Sequence, residues 1–222
     1  MVGRESPSDR GNSSNDSIVF VVDDDPIVRG AISTLLMSVG RQFQLFESAT
    51  DLLQSSFPAV PSCLVLDIRL RGLSGLDLQA ELANAGLPIP IIFITGHGDI
   101  PMSVRAMKAG AIDFLTKPFR DQDLLDAVTR ALERDRKRRK DEKDSEDLRA
   151  RYLTLTTREQ QIMALVTNGL MNKQVASRLE ISEVTAKIHR SRVMKKLGAK
   201  SLADLVVMAE ALGVRGKLSR TT

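Results

Sequence analysis

The segment IVFVVDDDPIVRGAISTLL, residues 18–36, decides the fold. Five apolar residues, four of them β-branched, run without a polar interruption, the signature of a short strand buried on both faces. The run ends on Asp23, Asp24 and Asp25, and Pro26 then opens a helix, since proline at the first helical position lacks only an N–H that would be unpaired there. Val28, Ala31, Ile32, Leu35 and Leu36 return at helical spacing and form one apolar face. The same grammar repeats along the chain. Residues 42–46, 63–66, 91–94 and 111–115 read as further strands separated by helical segments. Five rounds of this alternation predict an α/β doubly wound fold with a five-stranded parallel sheet covered by helices on both faces. Such sheets bind ligands at the carboxyl ends of their strands, so chemistry is sought there.

After Phe119 the periodicity continues through Leu124, Leu125, Val128, Ala131 and Leu132, in a helix expected to be capped by Asp121, and then gives way to RDRKRRKDEKDSEDLRARY. Alternating charge with few apolar residues suits an exposed helix or a flexible linker, and the lack of Gly or Pro favours a helix. From Leu153 onward the pattern is helical throughout, which predicts a second, small all-α domain. The expected division is a disordered tail at 1–17, the α/β domain at 18–134, a charged linker helix at 135–152, a helical domain at 153–216 and a tail at 217–222.

Charge follows this division. The 222 residues carry a net +4, but residues 18–135 hold 10 basic and 15 acidic residues, whereas residues 136–222 hold 20 and 10. A net of −5 joined to +10 suggests separate tasks, with nucleic acid a candidate partner for the basic half and a solvated basic linker the alternative. No apolar run reaches the ~20 residues of a membrane span, and the first residues lack a signal-peptide core, so a cytoplasmic protein with no membrane partner is expected. Cys63, the single cysteine, allows neither an intrachain disulfide nor a cysteine zinc cluster and is expected to be a buried thiol.

The first strand delivers Asp23, Asp24 and Asp25 to the carboxyl rim, the third delivers Asp67, the fourth Thr95, and the fifth is followed by Lys117-Pro118. Clustered carboxylates repel, and a hard divalent cation with oxygen ligands, such as Mg²⁺, compensates them. A lysine and a hydroxyl beside them suit phosphoryl oxygens. Asp67 as nucleophile, metal and Lys117 as charge stabilisers, and Thr95 as a donor make a consistent phosphoryl-transfer site. Singly, Asp25 can be a helix cap, Thr95 a strand end and Lys117 a surface charge; four strands bringing suitable groups to one edge is the stronger pattern.

These residues, spaced 28 and 22 apart at Asp67, Thr95 and Lys117, resemble the two-component receiver domain with its flavodoxin-like fold. The segments Ile94-Thr95-Gly96-His97-Gly98-Asp99, Ala106-Met107-Lys108-Ala109-Gly110-Ala111 and Lys117-Pro118-Phe119 resemble its FixJ-like subgroup, within the FixJ/NarL class. The resemblance implies that Asp67 accepts a phosphoryl group from a sensor histidine kinase. It also implies that Asp23, Asp24, Asp67 and the Arg69 carbonyl hold Mg²⁺, that Thr95 and Phe114 form a switch pair, and that Lys117 binds the phosphoryl group. Lys117-Pro118 is a candidate cis bond. Where the family has Met-Pro-Gly after the acceptor, this chain has Leu70-Arg71-Gly72, which predicts a looser loop.

In the basic half, Thr156 and Glu159 have capping-box spacing, residues 172–179 form a second helix, and Ser182 caps a third that ends near Leu197. Ala186, Val193 and Leu197 share one face of the third helix, while Lys187, Ser191 and Lys195 share another. Five cations on it, Lys187, Arg190, Arg192, Lys195 and Lys196, against the single acid Glu183 fit a recognition helix in the major groove, although a basic-faced bundle is the plainer alternative. Leu155-Thr156-Thr157-Arg158-Glu159, Gly169-Leu170-Met171-Asn172-Lys173 and the run from Ile181 to Leu197 resemble the LuxR-type helix-turn-helix. By that resemblance Lys187, Ile188 and Ser191 read bases of double-stranded DNA, and Thr185, His189, Arg190 and Lys195 lie nearer phosphates. A last helix capped by Ser201 is apolar beyond one face, which suggests a homodimer formed on phosphorylation or on DNA. His97 and His189 are not read as metal ligands.

The whole implies a phosphorylation-dependent transcription regulator, by family habit an activator, that works with RNA polymerase. Two rivals remain: a regulator whose receiver no longer takes phosphate, and a Mg²⁺-dependent phosphatase of the haloacid dehalogenase type. The enzyme is disfavoured because Arg69 stands where its second acid belongs.

Overall fold

The computed structural model describes residues 17–96 and 100–215. His97, Gly98 and Asp99 and both expected tails, apart from Ser17, lie outside them. Strands β1 (Ile18–Val22), β2 (Gln42–Phe46), β3 (Ser62–Asp67), β4 (Ile91–Thr95) and β5 (Asp113–Thr116) form one parallel sheet in the order β2-β1-β3-β4-β5. Helices α1 (Pro26–Ser38), α2 (Ala49–Gln54), α3 (Gly75–Asn84), α4 (Ile100–Lys108) and α5 (Asp121–Leu153) connect and follow the strands. The doubly wound α/β fold is therefore as expected. The order reverses at β1: one connection leads outward to β2 and the next crosses back to β3, which opens a crevice above β1 and β3.

Alternation along the strands builds two cores from one sheet. Phe20, Val22, Leu64, Leu66 and Phe93 face the layer that includes Leu78, Leu82 and Ala106. Val19, Val21, Cys63, Val65, Ile92 and Ile94 face Ile32 and Leu36 of α1 and Leu124, Val128 and Leu132 of α5. Burial on both sides explains why β1, β3 and β4 read as unbroken apolar runs. The Cys63 thiol is fully buried, and burial raises its pKa.

Some boundaries move for local reasons. β5 starts at Asp113 rather than Ala111, because Gly110 takes φ 94° and the Ala111 N–H returns to the Ala106 carbonyl, closing the end of α4. Asp25 caps α1 by accepting the Ile27 N–H at 2.8 Å, while Ala31 is exposed rather than part of the apolar face. Asp121 is the first residue of α5 rather than its cap, and its charge joins Asp123 in the first turn, where the helix dipole favours acids. The charged tract is helical, within the 33 residues of α5.

The chain divides between Arg139 and Lys140 into two compact units. The second contains α6 (Thr157–Thr167), α7 (Asn172–Leu179), α8 (Glu183–Leu197) and α9 (Leu202–Ala211). Its core holds Ile162, Leu165, Val166, Val175, Ala186, Val193, Leu197, Leu205 and Ala209, with Leu148 and Tyr152 of α5 packed against it. The capping box of Thr156 and Glu159 opens α6, Ser182 caps α8, and Ser201 with Asp204 boxes α9. Glu180 ends α7 in the left-handed region at φ 53° and makes the turn into α8.

Candidate functional site

Asp23 and Asp24 follow β1 directly, and Asp67 ends the adjacent β3, so the crevice receives all three carboxylates. One oxygen from each lies within 4.8 Å of the others. Asp23 is fully buried and Asp67 nearly so. A bare cluster would be unstable, and Lys117, delivered by the loop after β5, meets it: Nζ donates to Asp23 Oδ2 at 2.6 Å and to Asp67 Oδ2 at 2.8 Å. The bond between Lys117 and Pro118 is cis. Burial works against the lysine's charge, but the bonds to Asp23 and Asp67 outweigh it and hold the ammonium above its ordinary pKa. Burial likewise pushes the Asp23 carboxyl up, opposed by the bonds from Lys117 and the Asp25 N–H. The direction that stands is the lysine's, because its ammonium is bonded to two carboxylates at once.

Other contacts fix the acids. The Asp25 N–H donates to Asp23 Oδ1 at 2.9 Å and the Arg69 N–H to Asp67 Oδ1 at 3.0 Å. Gly75 opens α3 directly beneath Asp67: its N–H donates to the Ile68 carbonyl at 2.9 Å, and a Cβ there would lie 2.5 Å from the Asp67 carbonyl oxygen. Thr95 is fully buried at the end of β4. Phe114 on β5 is half-buried against the core on the α3 and α4 side. An all-oxygen set of three carboxylates suits a hard cation such as Mg²⁺ and not a soft one.

Three features of this unit escape sequence reasoning. Arg29 of α1 donates to the Asp23 carbonyl and, at 2.9 Å, to Glu47, tying the acidic loop to the end of β2. Arg71 places Nε 3.1 Å from Asp24 Oδ2. Asp135, inside the tract read as solvated, is fully buried at the far rim of the sheet. It accepts the Ser62 N–H at 2.9 Å, Arg138 at 2.6 Å and Arg139 at 2.6 Å. Arginines three and four residues after an acid mark a helical pair, but nothing in the pattern marks the bond to Ser62.

In the helical unit, Lys187, Ser191 and Lys195 are exposed along α8 with Ile188, which is 47% exposed. Val184, unremarked in the sequence, is 69% exposed on the same face. Thr185 is half-buried and exchanges a hydrogen bond with Ser182 at 2.8 Å. His189 is half-buried, and Arg190 reaches Asn172 Oδ1 at 3.3 Å. Lys196 does not join the outward charges. Its Nζ donates to Glu159 Oε2 at 2.6 Å and to the Thr154 carbonyl at 3.0 Å, bracing α8 against α6.

Residues 19–129 match the response regulator receiver domain, and residues 153–209 match the bacterial regulatory proteins of the luxR family. The chain belongs to the two-component response regulators of the FixJ/NarL class. It is 57% identical over 210 residues to nodulation protein W of Bradyrhizobium diazoefficiens, covering 95% of this chain and 92% of that one. It is 42% identical over 198 residues to the transcriptional regulatory protein FixJ of Rhizobium meliloti, covering 89% and 97%. Among solved structures, response regulator StyR aligns with a TM-score of 0.79 at 49% identity, covering 88% of this chain and 98% of that one. FixJ and StyR are regulators by name, and this chain, with a receiver and a LuxR-type domain of its own, is a response regulator and not an enzyme. Its receiver implies a sensor kinase as partner and its LuxR-type domain implies DNA. Among the described residues no helix is long and apolar enough to cross a membrane.

Proposed function

We propose that this response regulator is switched by a phosphoryl group that a sensor histidine kinase places on Asp67, and that the switched form binds double-stranded DNA as a homodimer and activates transcription with RNA polymerase in the cytoplasm. The observation that carries the reading is the shared grip of Lys117 on Asp67 and Asp23 beside a third carboxylate. It puts a fixed cation where phosphoryl charge would develop, the arrangement that stabilises such transfers.

In the transfer, an Asp67 carboxylate oxygen attacks phosphorus and the phosphohistidine nitrogen leaves. Asp23, Asp24, Asp67 and the Arg69 carbonyl would hold Mg²⁺, which supplies charge neutralisation for the phosphoryl oxygens when bound. Lys117 is already in place for one oxygen, and Thr95, buried at the end of the neighbouring strand, is the hydroxyl offered to another. Phe114 is the side chain whose packing reports the change to the face around β5. On α8 the exposed row of Lys187, Ile188 and Ser191 reads bases. Thr185, His189, Arg190 and Lys195 serve the backbone. The domain limits that go with this reading are a receiver at 18–134, a linker helix at 135–152 and a DNA-binding domain at 153–216.

Incubation with Mg²⁺ and acetyl phosphate, read by intact mass, tests the switch while size and DNA retention are followed. Wild type is expected to gain one phosphoryl group and to dimerise or bind DNA more tightly, and Asp67→Asn to do neither. An adduct on Asp67→Asn, or DNA binding indifferent to an adduct on wild type, overturns the reading.

A further inference from the structure

Lys117 serves Asp23 and Asp67, and the third acid of the pocket has its own cation. Arg71, four residues after Asp67 on the loop between β3 and α3, sets its Nε 3.1 Å from Asp24 Oδ2. The sequence marks Arg71 only as a departure from the usual loop proline. The structure turns that departure into a contact with one of the residues that would hold Mg²⁺.

The exposures of the two partners decide what kind of contact it is. Asp24's side chain is 25% exposed and Arg71's is 91% exposed. The carboxylate is thus part of the pocket wall, while the guanidinium stands at the mouth in water and can leave without stranding a buried charge. Lys117, at 18% side-chain exposure and bonded twice, has no such freedom. We infer that Arg71 is a displaceable counter-ion of the acidic pocket that lowers its affinity for Mg²⁺, by occupying Asp24 and by adding a positive charge at the entrance. This rests on the proposed reading that the three acids hold that ion.

The charge balance gives the sign. Three carboxylates with Lys117 and Arg71 leave a net of about −1 at the pocket; without Arg71 it is about −2, and a divalent ion is drawn more strongly and need displace nothing. Exposed ion pairs shift equilibria by roughly 1.5- to 5-fold, so the effect lies in that range and shrinks as salt screens it. Arg69, on the same loop and also exposed, meets Asp67 through its backbone N–H.

Calorimetric titration of MgCl₂ into the full chain at low ionic strength tests this, using wild type, Arg71→Ala, Arg71→Lys and Arg41→Ala. Arg41 precedes β2 at the opposite rim of the sheet and controls for net charge. The expected result is Mg²⁺ binding about two- to fivefold tighter for Arg71→Ala, near wild type for Arg71→Lys and unchanged for Arg41→Ala, with the gap closing at high salt. Equal or weaker binding by Arg71→Ala, or equal tightening by Arg41→Ala, overturns the inference while leaving the Mg²⁺ reading intact. Wild type that takes up no Mg²⁺ overturns both.

Discussion

Replacing Asp135 by alanine removes an acceptor that holds the start of the charged half of α5 to the sheet. The carboxylate is fully buried and accepts from three residues: the Ser62 N–H that begins β3, and the guanidinium groups of Arg138 and Arg139. Charge-assisted bonds contribute about 1.5–3 kcal/mol each, but the full sum does not apply. Arg138 and Arg139 are 27% and 29% exposed and recover water, and the carboxylate's own desolvation cost disappears with it. The buried Ser62 N–H recovers nothing and costs about 1–3 kcal/mol unsatisfied. The net loss is about 3 kcal/mol, in line with breaking a buried pair from one side. At about 2.1 cal/mol/K per residue, a unit of roughly 120 residues has an unfolding entropy near ~0.25 kcal/mol/K, so its midpoint falls by about 12 °C. Scanning calorimetry of the full chain is the assay, because two units can give two transitions. The receiver transition should drop and the helical unit's should stay. Asp135→Asn, keeping one carbonyl oxygen, should lose roughly half as much. A fall of less than about 3 °C in the receiver transition, or an equal fall in both, would refute the assignment of Asp135 as a buried anchor.

Gly75→Ala should damage the pocket from below: its Cβ would lie 2.5 Å from the Asp67 carbonyl oxygen and 3.0 Å from Ile68 Cα, backbone that cannot swing aside. Overpacking of this kind costs about 1–3 kcal/mol, and a lower receiver midpoint together with reduced acetyl-phosphate labelling is expected; wild-type values for both would show that the strand end yields freely. Glu159 gives the helical unit a pH dependence. Burial favours its neutral form, but bonds from Lys196 and the Thr156 N–H outweigh that and hold its pKa below the ordinary 4.5. A depressed carboxyl stabilises the fold fully above about 4.5, and the contribution is lost as pH falls through the folded value. The melting temperature of the helical unit should therefore fall on acidification below pH 4.5, and Glu159→Gln should flatten that slope and cost about 1 kcal/mol at pH 7, a figure discounted because Lys196 is 36% exposed. An unchanged slope in the variant would assign the acid sensitivity to other groups.

The pocket was legible in the sequence because each of its parts follows an apolar run. Once Ile18–Val22 and Ser62–Asp67 are parallel neighbours, Asp23, Asp24 and Asp67 have to share a rim, and Lys117 arrives there from β5 by the same logic. The outward row of α8 was legible for a similar reason, since Ala186, Val193 and Leu197 fix which face is buried. What failed to show were contacts made by long, charged side chains between elements far apart in sequence. Asp135 to Ser62 spans 73 residues and Lys196 to Glu159 spans 37. Composition counts such residues as solvated charge, and nothing in helical or strand periodicity says that an aspartate will be buried or that a lysine will turn inward. Arg71 is the same case on a loop, where no periodicity exists at all.

The position of Lys117 constrains how a phosphoryl group on Asp67 could act. New phosphoryl charge attracts any donor that is free to move toward the acceptor. Here Lys117 already bonds Asp67 at 2.8 Å while anchored to Asp23 at 2.6 Å, so it has no distance to travel. A group fixed in advance stabilises incoming charge without reorganising, which favours the transfer but transmits nothing. On the proposed reading the moving parts must then lie elsewhere on the rim. Thr95 ends β4 and Phe114 sits on the neighbouring β5, half-buried where it can change packing. Fixed charge on one side and adjustable packing on the other separate the chemistry of accepting a phosphoryl group from the signal it sends, so loss of Phe114's side chain should spare labelling of Asp67 and impair only the response in size or DNA binding.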